Sequence, residues 1–254
     1  MRPSLKLFDL AGRTALVTGA SAGIGRAIAE ALAGAGARRA PPARRADALE
    51  AAAAALRADG AEAAALPADL SRRDEIARIA ATQPLGAPAI LVNAAGINPR
   101  QPADTIGAQD WDATLELNLT VPFLLARALV PGMRAHGWGR IINVASLQSV
   151  RAFPDGIAYG AAKGGVMQLT RAMAEAWARD GITANAIAPG FFPTALTAPL
   201  FADAATAARL AAQTMVGRNG RLADLHGAAV FLASDAATYV ADQTLFVDGG
   251  FSAR

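Results

Sequence analysis

Thr14-Ala-Leu-Val-Thr18-Gly19-Ala-Ser21-Ala-Gly23-Ile24-Gly25-Arg26-Ala-Ile-Ala-Glu30 is the stretch that decides the fold. It opens on a short apolar run at 14–18, which reads as a buried strand, and closes on a helical pattern at 25–35. Between them, glycines at 19, 23 and 25 permit a tight turn, close approach of backbone to a pyrophosphate, and close packing of helix on strand. The helix N-terminus adds free N–H groups and a positive dipole end, both suited to phosphate. Strand, glycine loop and helix in this order read as a dinucleotide site, with Gly19, Ser21, Gly23, Ile24 and Gly25 as its candidate residues. The spacing is Gly-x-x-x-Gly-x-Gly rather than Gly-x-Gly-x-x-Gly. Outside its strand–helix context such a triplet would be an ordinary turn.

The alternation continues downstream. Apolar runs at 63–66, 89–93, 140–145, 184–188 and 244–247 read as strands, and Ala/Leu-rich stretches of helical period at 46–58, 72–81, 111–133, 159–180 and 222–233 read as helices. Strands apolar on both faces are what a parallel sheet covered by helices requires. The expected fold is α/β: a single Rossmann-type doubly wound parallel sheet with helices on both faces, binding ligands outside the carboxyl ends of its strands. All of 1–254 reads as one domain. A stretch rich in Phe, Pro, Thr and Ala at 189–212 breaks the alternation, and a substrate lid is expected at about 190–215.

Composition narrows the function. Charged residues are 18% and hydrophobic ones 53% of the 254 residues, which fits helices packed on a buried sheet and not a disordered or nucleic-acid-binding chain. The net charge of +3 comes from scattered arginines, so no nucleic-acid partner is expected. The absence of Cys and the separation of the two histidines, His136 and His226, leave no metal-ligand pattern. No uninterrupted apolar run reaches spanning length and no leader is read at the N-terminus, so no membrane partner and a cytoplasmic location are expected.

Tyr159 and Lys163, in Tyr159-Gly-Ala-Ala-Lys163, follow the strand that ends near Ser146. Four residues are one helical turn, so phenol and ammonium project from one face and can meet a single substrate atom. Alone, such a pair is common on ordinary amphipathic helices. Hydride leaving or reaching a carbon makes its oxygen alkoxide-like, and a proton must move to or from that oxygen. A free phenol titrates near 10; the Lys163 ammonium and a positive nicotinamide ring are expected to lower it, making Tyr159 the acid–base. Ser146 would hydrogen-bond the same oxygen and orient the carbonyl. No base suited to activating a serine lies nearby, which argues against a hydrolase.

Thr18-Gly-Ala-Ser-Ala-Gly-Ile-Gly25, Asp69-Leu70 after a predicted strand, Asn93-Ala94-Ala-Gly96, Asn118, Ser146, Tyr159 with Lys163, Pro189-Gly190 and Val247-Asp-Gly-Gly250 occur in that order. On these motifs the chain resembles the short-chain dehydrogenase/reductase family over nearly its whole length. The resemblance implies a catalytic tetrad of Asn118, Ser146, Tyr159 and Lys163, in which Asn118 anchors a water reaching Lys163. It places Asp69 and Leu70 beside the adenine, has Asn93, Ala94 and Gly96 line the cofactor and stabilise the central sheet, has Pro189 and Gly190 line the cofactor, and puts Thr194 against the nicotinamide amide. It also implies a homotetramer.

Members using NAD are expected to carry an acid at the end of the second strand, where it binds the ribose hydroxyls. Here the stretch is Gly36-Ala-Arg-Arg-Ala-Pro41-Pro42-Ala43-Arg44-Arg45. Ala43 stands where the acid is expected, and Arg44 and Arg45 suit a 2′-phosphate. NADP(H) is the preferred cofactor on this reading, with NAD(H) the alternative; Ala22 stands where NADP-using relatives often place a basic residue. An internal strand should not contain Pro41 and Pro42, which have no N–H for a ladder. A local distortion is therefore expected there.

The substrate should be set by the loop after Gly190 and by the segments after Asn93 and Ser146. Arg100 and Arg151 are candidates for a carboxylate; two solvated surface arginines are the plainer reading. The run Leu7-Phe-Asp-Leu-Ala-Gly-Arg13, Ser146-Leu-Gln-Ser149 and the segment 224–235 are most similar to gluconate 5-dehydrogenases and related sugar-acid reductases. The alternatives are a 3-oxoacyl-carrier-protein reductase, against which Asp180 stands in place of a basic residue, and, in a different class, a non-catalytic dinucleotide-binding protein.

Overall fold

The computed structural model describes all residues except 1, 2, 40, 41, 44–49, 51–53, 55–61 and 83. The expected Arg44, Arg45 and Pro41, and nearly all of the helix expected at 46–58, lie outside the described residues.

Six parallel strands form the main sheet: β1 (Thr14–Val17), β2 (Arg38–Arg39), β5 (Ile90–Asn93), β6 (Gly139–Val144), β7 (Ile182–Pro189) and β8 (Thr244–Val247), in the order β2-β1-β5-β6-β7-β8. The order reverses at β1, whose neighbours β2 and β5 lie on opposite sides. A crevice therefore opens beyond the carboxyl ends of β1 and β5, where a doubly wound sheet binds ligands.

Side chains of each strand alternate between two cores, as the period of two requires. Ala15, Val17, Ile90, Val92, Ile142 and Val144 meet helices α2 (Gly23–Gly34) and α9 (His226–Ala233) on one face. Leu16, Leu91 and Ile141 meet α3 (Arg73–Ala81), α5 (Val121–Ala135) and α6 (Ile157–Trp177) on the other. Burying a Leu or Ile side chain contributes about 1.5–3 kcal/mol. A one-residue slip would move each from one core to the other. Both faces are thus covered, as the apolar runs predicted.

The second strand departs from regularity where the prolines predicted it. Arg38 and Arg39 pair with Thr14 and Ala15 of β1. Pro42 and Ala43, β3, pair instead with Leu66 and Pro67, β4, as a separate two-stranded sheet. One internal strand would have bonded both neighbours along a common length. Here it is split into two-residue pieces, because Pro42 has no N–H to donate.

The helix expected at 111–133 is also interrupted. α4 (Ala108–Leu115) runs into a π-type turn at Glu116–Thr120 before α5 begins. Pro122 explains the break: it has no N–H for the carbonyl four residues back, which is that of Asn118, and the helix widens there. The 28-residue stretch Ala108–Ala135 is long and apolar enough to cross a membrane. Val121, Leu125, Ala126, Leu129, Val130 and Met133 are instead buried in the core, as in the central helix of a globular fold.

The region after β7 forms α7 (Ala198–Phe201) and α8 (Ala204–Ala212). Asp203 caps α8, accepting from the N–H groups of Ala205 and Thr206. From this stretch, where a lid was expected, Leu200, Thr206 and Leu210 line a cavity at the carboxyl ends of the strands.

Candidate active site

The glycine loop is shaped by close contacts. A Cβ on Gly25 would stand 2.5 Å from the Gly19 carbonyl oxygen, and one on Gly19 would stand 2.9 Å from the Ala95 nitrogen. Gly19 and Gly23 also take φ of 69° and 57°, a region that favours glycine. Thr18 ties the loop down: its Oγ1 accepts from the N–H groups of Ala94 and Ala95 at 2.9 and 3.0 Å. No side chain caps the N-terminus of α2, so its first N–H groups face the crevice as free donors. These residues fit a bound pyrophosphate. Ser21 lies in the loop, partly buried, and Ile24 reaches the cavity beside it.

Other expected cofactor residues divide. Ala94 is held at the crevice through Thr18. A Cβ on Gly96 would collide with Asn118 Oδ1 and stand 3.9 Å from Lys163 Nζ, so glycine there lets the backbone approach the tetrad. Asn93 is buried and turns away: its Nδ2 donates to Asn143 Oδ1 at 2.8 Å, and Asn143 donates to Thr170 at 2.9 Å. It ties β5 to β6 and α6 instead of offering its side chain to a ligand. Leu70 is 5% exposed in the core with Leu16 and Ile76, so its side chain is packed against the sheet. Asp69 accepts from the N–H and hydroxyl of Ser71. Pro189, Gly190 and Thr194 line the cavity, and a Cβ on Gly23 would stand 3.4 Å from Thr194. The 190–215 stretch and the glycine loop therefore meet.

The four tetrad residues come together from three elements. Ser146 follows β6, Tyr159 and Lys163 occupy the first two turns of α6, and Asn118 sits in the π-type turn. Gly165 lets α6 approach that turn, since a Cβ there would stand 2.9 Å from Leu119. Asn118 donates to the carbonyls of Ile97 and Thr114, both at 2.9 Å, while its buried Oδ1 has no partner. Lys163 is 4% exposed; its Nζ donates to the Val144 carbonyl at 2.6 Å and lies 5.5 Å from the centre of the Tyr159 ring. Burial pushes the Lys163 ammonium down to about 8.

The expectation that Lys163 lowers the Tyr159 phenol needs correction. Burial raises the phenol above its ordinary value, and the two opposing influences are the Ser146 hydrogen bond and the charge of Arg100. The Lys163 ammonium is directed at Val144. The phenol is therefore held protonated by the chain itself, the form needed to donate a proton to a ketone oxygen.

A cavity of about 350 Å³ opens in front of Ser146 and Tyr159. Asn98, Arg100, Gln148 and Asp155 give it a polar side, and Phe153, Phe191, Leu147, Leu200 and Leu210 an apolar one. Arg100 takes φ of 51°, a left-handed conformation unusual for a bulky residue, and its buried Nε has no partner. Such strain collects at functional sites. Arg151 is not in the cavity: it donates to the carbonyls of Phe251 and Arg254 at 2.9 and 3.3 Å, tying down the C-terminus. Of the two arginines proposed for a carboxylate, only Arg100 faces the site.

Sequence reasoning missed Arg209, which α8 brings to the cavity from an Ala-rich helix with no motif. It also gave Thr18 no role, although the Thr-Gly pair at the end of β1 was a usable signal. Asp180 pairs with Arg134 at 2.8 Å just beyond the far end of α6, some 30 Å from Tyr159 by helical rise.

A doubly wound sheet with a glycine cradle at its switch point, and a Ser–Tyr–Lys constellation beside it, defines a nicotinamide-dependent dehydrogenase acting on alcohols or carbonyls. The family model for enoyl-(acyl carrier protein) reductase, of the short-chain type, matches residues 19–252. The chain belongs to the short-chain dehydrogenase/reductase family, whose members use NAD(P). It is 39% identical to gluconate 5-dehydrogenase of Gluconobacter oxydans, over 97% of each chain. It is 38% identical to a 3-oxoacyl-[acyl-carrier-protein] reductase of Pseudomonas aeruginosa, over 95% of this chain and 98% of that one. Among solved structures, a gluconate 5-dehydrogenase from Burkholderia cenocepacia in complex with NADP and tartrate superposes with a TM-score of 0.95 at 41% identity, over 99% of each chain.

Proposed function

We propose that this oxidoreductase moves a hydride between NADP(H) and a secondary alcohol or ketone of a sugar acid, in the manner of a gluconate 5-dehydrogenase. The observation that carries the reading is Arg100. Arg100 borders the cavity beside Ser146 and Tyr159, and a carboxylate is the natural partner for its guanidinium fork. The Burkholderia relative was solved in complex with tartrate, a small hydroxy acid, which agrees with this reading.

The nicotinamide, when bound, supplies or accepts the hydride. The chain provides the rest. Arg100 holds the carboxylate end, and the Ser146 hydroxyl bonds the reacting oxygen and sets its direction. Tyr159, protonated at neutral pH, gives its proton to that oxygen as charge develops there; in the reverse direction the phenolate takes it back. Lys163 holds the end of β6 in place through Val144. Because the chain raises the phenol, ketone reduction should proceed at neutral pH, and alcohol oxidation should accelerate as the pH rises.

NADP is preferred on this reading through Arg44 and Arg45, and NADP-bound relatives are consistent with it. We place the enzyme in the cytoplasm and expect it to work as a homotetramer. Exposed Met215, Val216 and Leu245, the last on edge strand β8, support association.

A second reading has its own support. The apolar wall of Phe153, Phe191, Leu147, Leu200 and Leu210 suits an acyl chain, so a 3-oxoacyl-carrier-protein reductase is the alternative. The test is the loss of reduced-nicotinamide absorbance with NADPH or NADH, against 5-ketogluconate and separately against an acetoacetyl thioester. Faster NADPH oxidation with the keto acid supports the sugar-acid reading. Turnover of the thioester alone would replace it with the acyl one.

A further inference from the structure

Ser149 joins the segment that carries Ser146 to the helix that carries Tyr159 and Lys163. It ends the short 3-10 turn Leu147–Ser149 that follows Ser146. Its Oγ accepts from the Ser146 N–H at 3.2 Å and donates to the Lys163 main-chain carbonyl at 2.7 Å. Ser146 Oγ accepts from the Gln148 N–H at 3.1 Å and lines the same cavity as Tyr159. Tyr159 leads through one helical turn back to Lys163. The bond to Lys163 is not needed to satisfy that carbonyl, which lies inside α6 and is served by the N–H four residues on. What it adds is a tie between the end of β6 and the catalytic helix.

We propose that Ser149 is a positioning residue: its hydroxyl fixes Ser146 against α6 and so sets where the Ser146 hydroxyl stands relative to the Tyr159 phenol, a placement on which proton transfer depends. The proposal rests on the hydride-transfer reading of this site but not on which acid is the substrate. The groups around the phenol are Lys163 on its own helix, Ser146 at the end of β6, Arg100 from the loop after β5, and Asp155 and Arg209 elsewhere on the cavity wall. Ser149 is hydrogen-bonded to none of the charged side chains. Removing its hydroxyl therefore reaches the phenol through Ser146. The neighbouring Ser146 hydroxyl lowers the phenol, so letting Ser146 drift away raises it.

The chain has two tyrosines, and Tyr239 is fully exposed. In a Tyr239→Phe background an ultraviolet difference titration reads Tyr159 alone and needs no substrate. Ser149→Ala should move that titration to higher pH and carry the alkaline limb of alcohol oxidation with it. It should also lower kcat, about tenfold for a midpoint displaced by about one pH, with KM little changed. Ser149→Thr, which keeps the hydroxyl, should restore both. If Ser149→Ala does not fold, Ser149→Cys, of similar size with a weaker hydrogen bond, carries the same test. An unchanged titration and rate, or a Thr variant that behaves like the Ala one, would overturn the proposal. A wrong substrate assignment would show differently, as no turnover in the unmodified enzyme while the titration still responds.

Discussion

The two ends of the sheet are built to different standards. At the catalytic end, β6 and β7 pair over six residues, and Lys163, Ser149 and the Asn93–Asn143–Thr170 chain tie β5, β6 and α6 together. At the end where adenosine is proposed to bind, β1–β2 and β3–β4 pair over two residues each. Chemistry needs atoms held to fractions of an ångström, whereas a phosphate contact from a long arginine tolerates more displacement. The first end is overdetermined by buried hydrogen bonds.

If the catalytic end is complete, removing one atom from it should have the largest effect. Tyr159→Phe should lower turnover by about 10²–10⁴-fold while the folded protein still quenches nicotinamide fluorescence. A variant that kept its rate would break the comparison and favour a non-catalytic dinucleotide-binding role.

Lys163 sharpens the comparison through stability. Its folded value of about 8 lies below the ordinary 10.5, so between those pH values the unfolded chain binds more protons, and stability rises with pH. The burial penalty is fully present below pH 8 and relieved on the way to 10.5, by about 3 kcal/mol. Urea unfolding across that window should show the rise in the wild type, and Lys163→Met should lose it.

At the adenosine end the expected effects are smaller. Replacing Arg44 and Arg45 together by Ala should reduce the preference for NADP over NAD by about ten- to a hundredfold, read as the ratio of kcat/KM values, with kcat nearly unchanged. Replacing Pro41 and Pro42 by Val should change stability by about 1 kcal/mol and leave kcat unaltered. If that pair changed kcat severalfold, the two ends would be coupled and the contrast between them would fail.

Much of this was legible in the sequence because local signals carried it. The run Thr14–Val17, the glycines at 19, 23 and 25, and the Tyr159–Lys163 spacing each state a backbone need or a helical face, and all fall where expected. The π-type turn was hidden, although Pro122 contained the reason: its missing N–H acts on Asn118, four residues away. The destinations of Arg100 and Arg151 could not be read, because both follow strand ends and only tertiary packing sends one to the cavity and the other to the C-terminus. The direction of the Tyr159 shift was missed for a related reason, since burial and the aim of the Lys163 ammonium are properties of the folded core.

The central claim, that Ser146, Tyr159 and Arg100 present a ketone of a sugar acid for hydride transfer, is tested most directly by isotope. The enzyme would reduce 5-ketogluconate with NADPH deuterated at the transferring position, and the product would be analysed by mass spectrometry and NMR. One deuterium on the newly formed carbinol carbon, absent with Tyr159→Phe, is the predicted result. Reduced product without deuterium at that carbon, or labelled product formed equally fast by the Phe variant, would contradict the account.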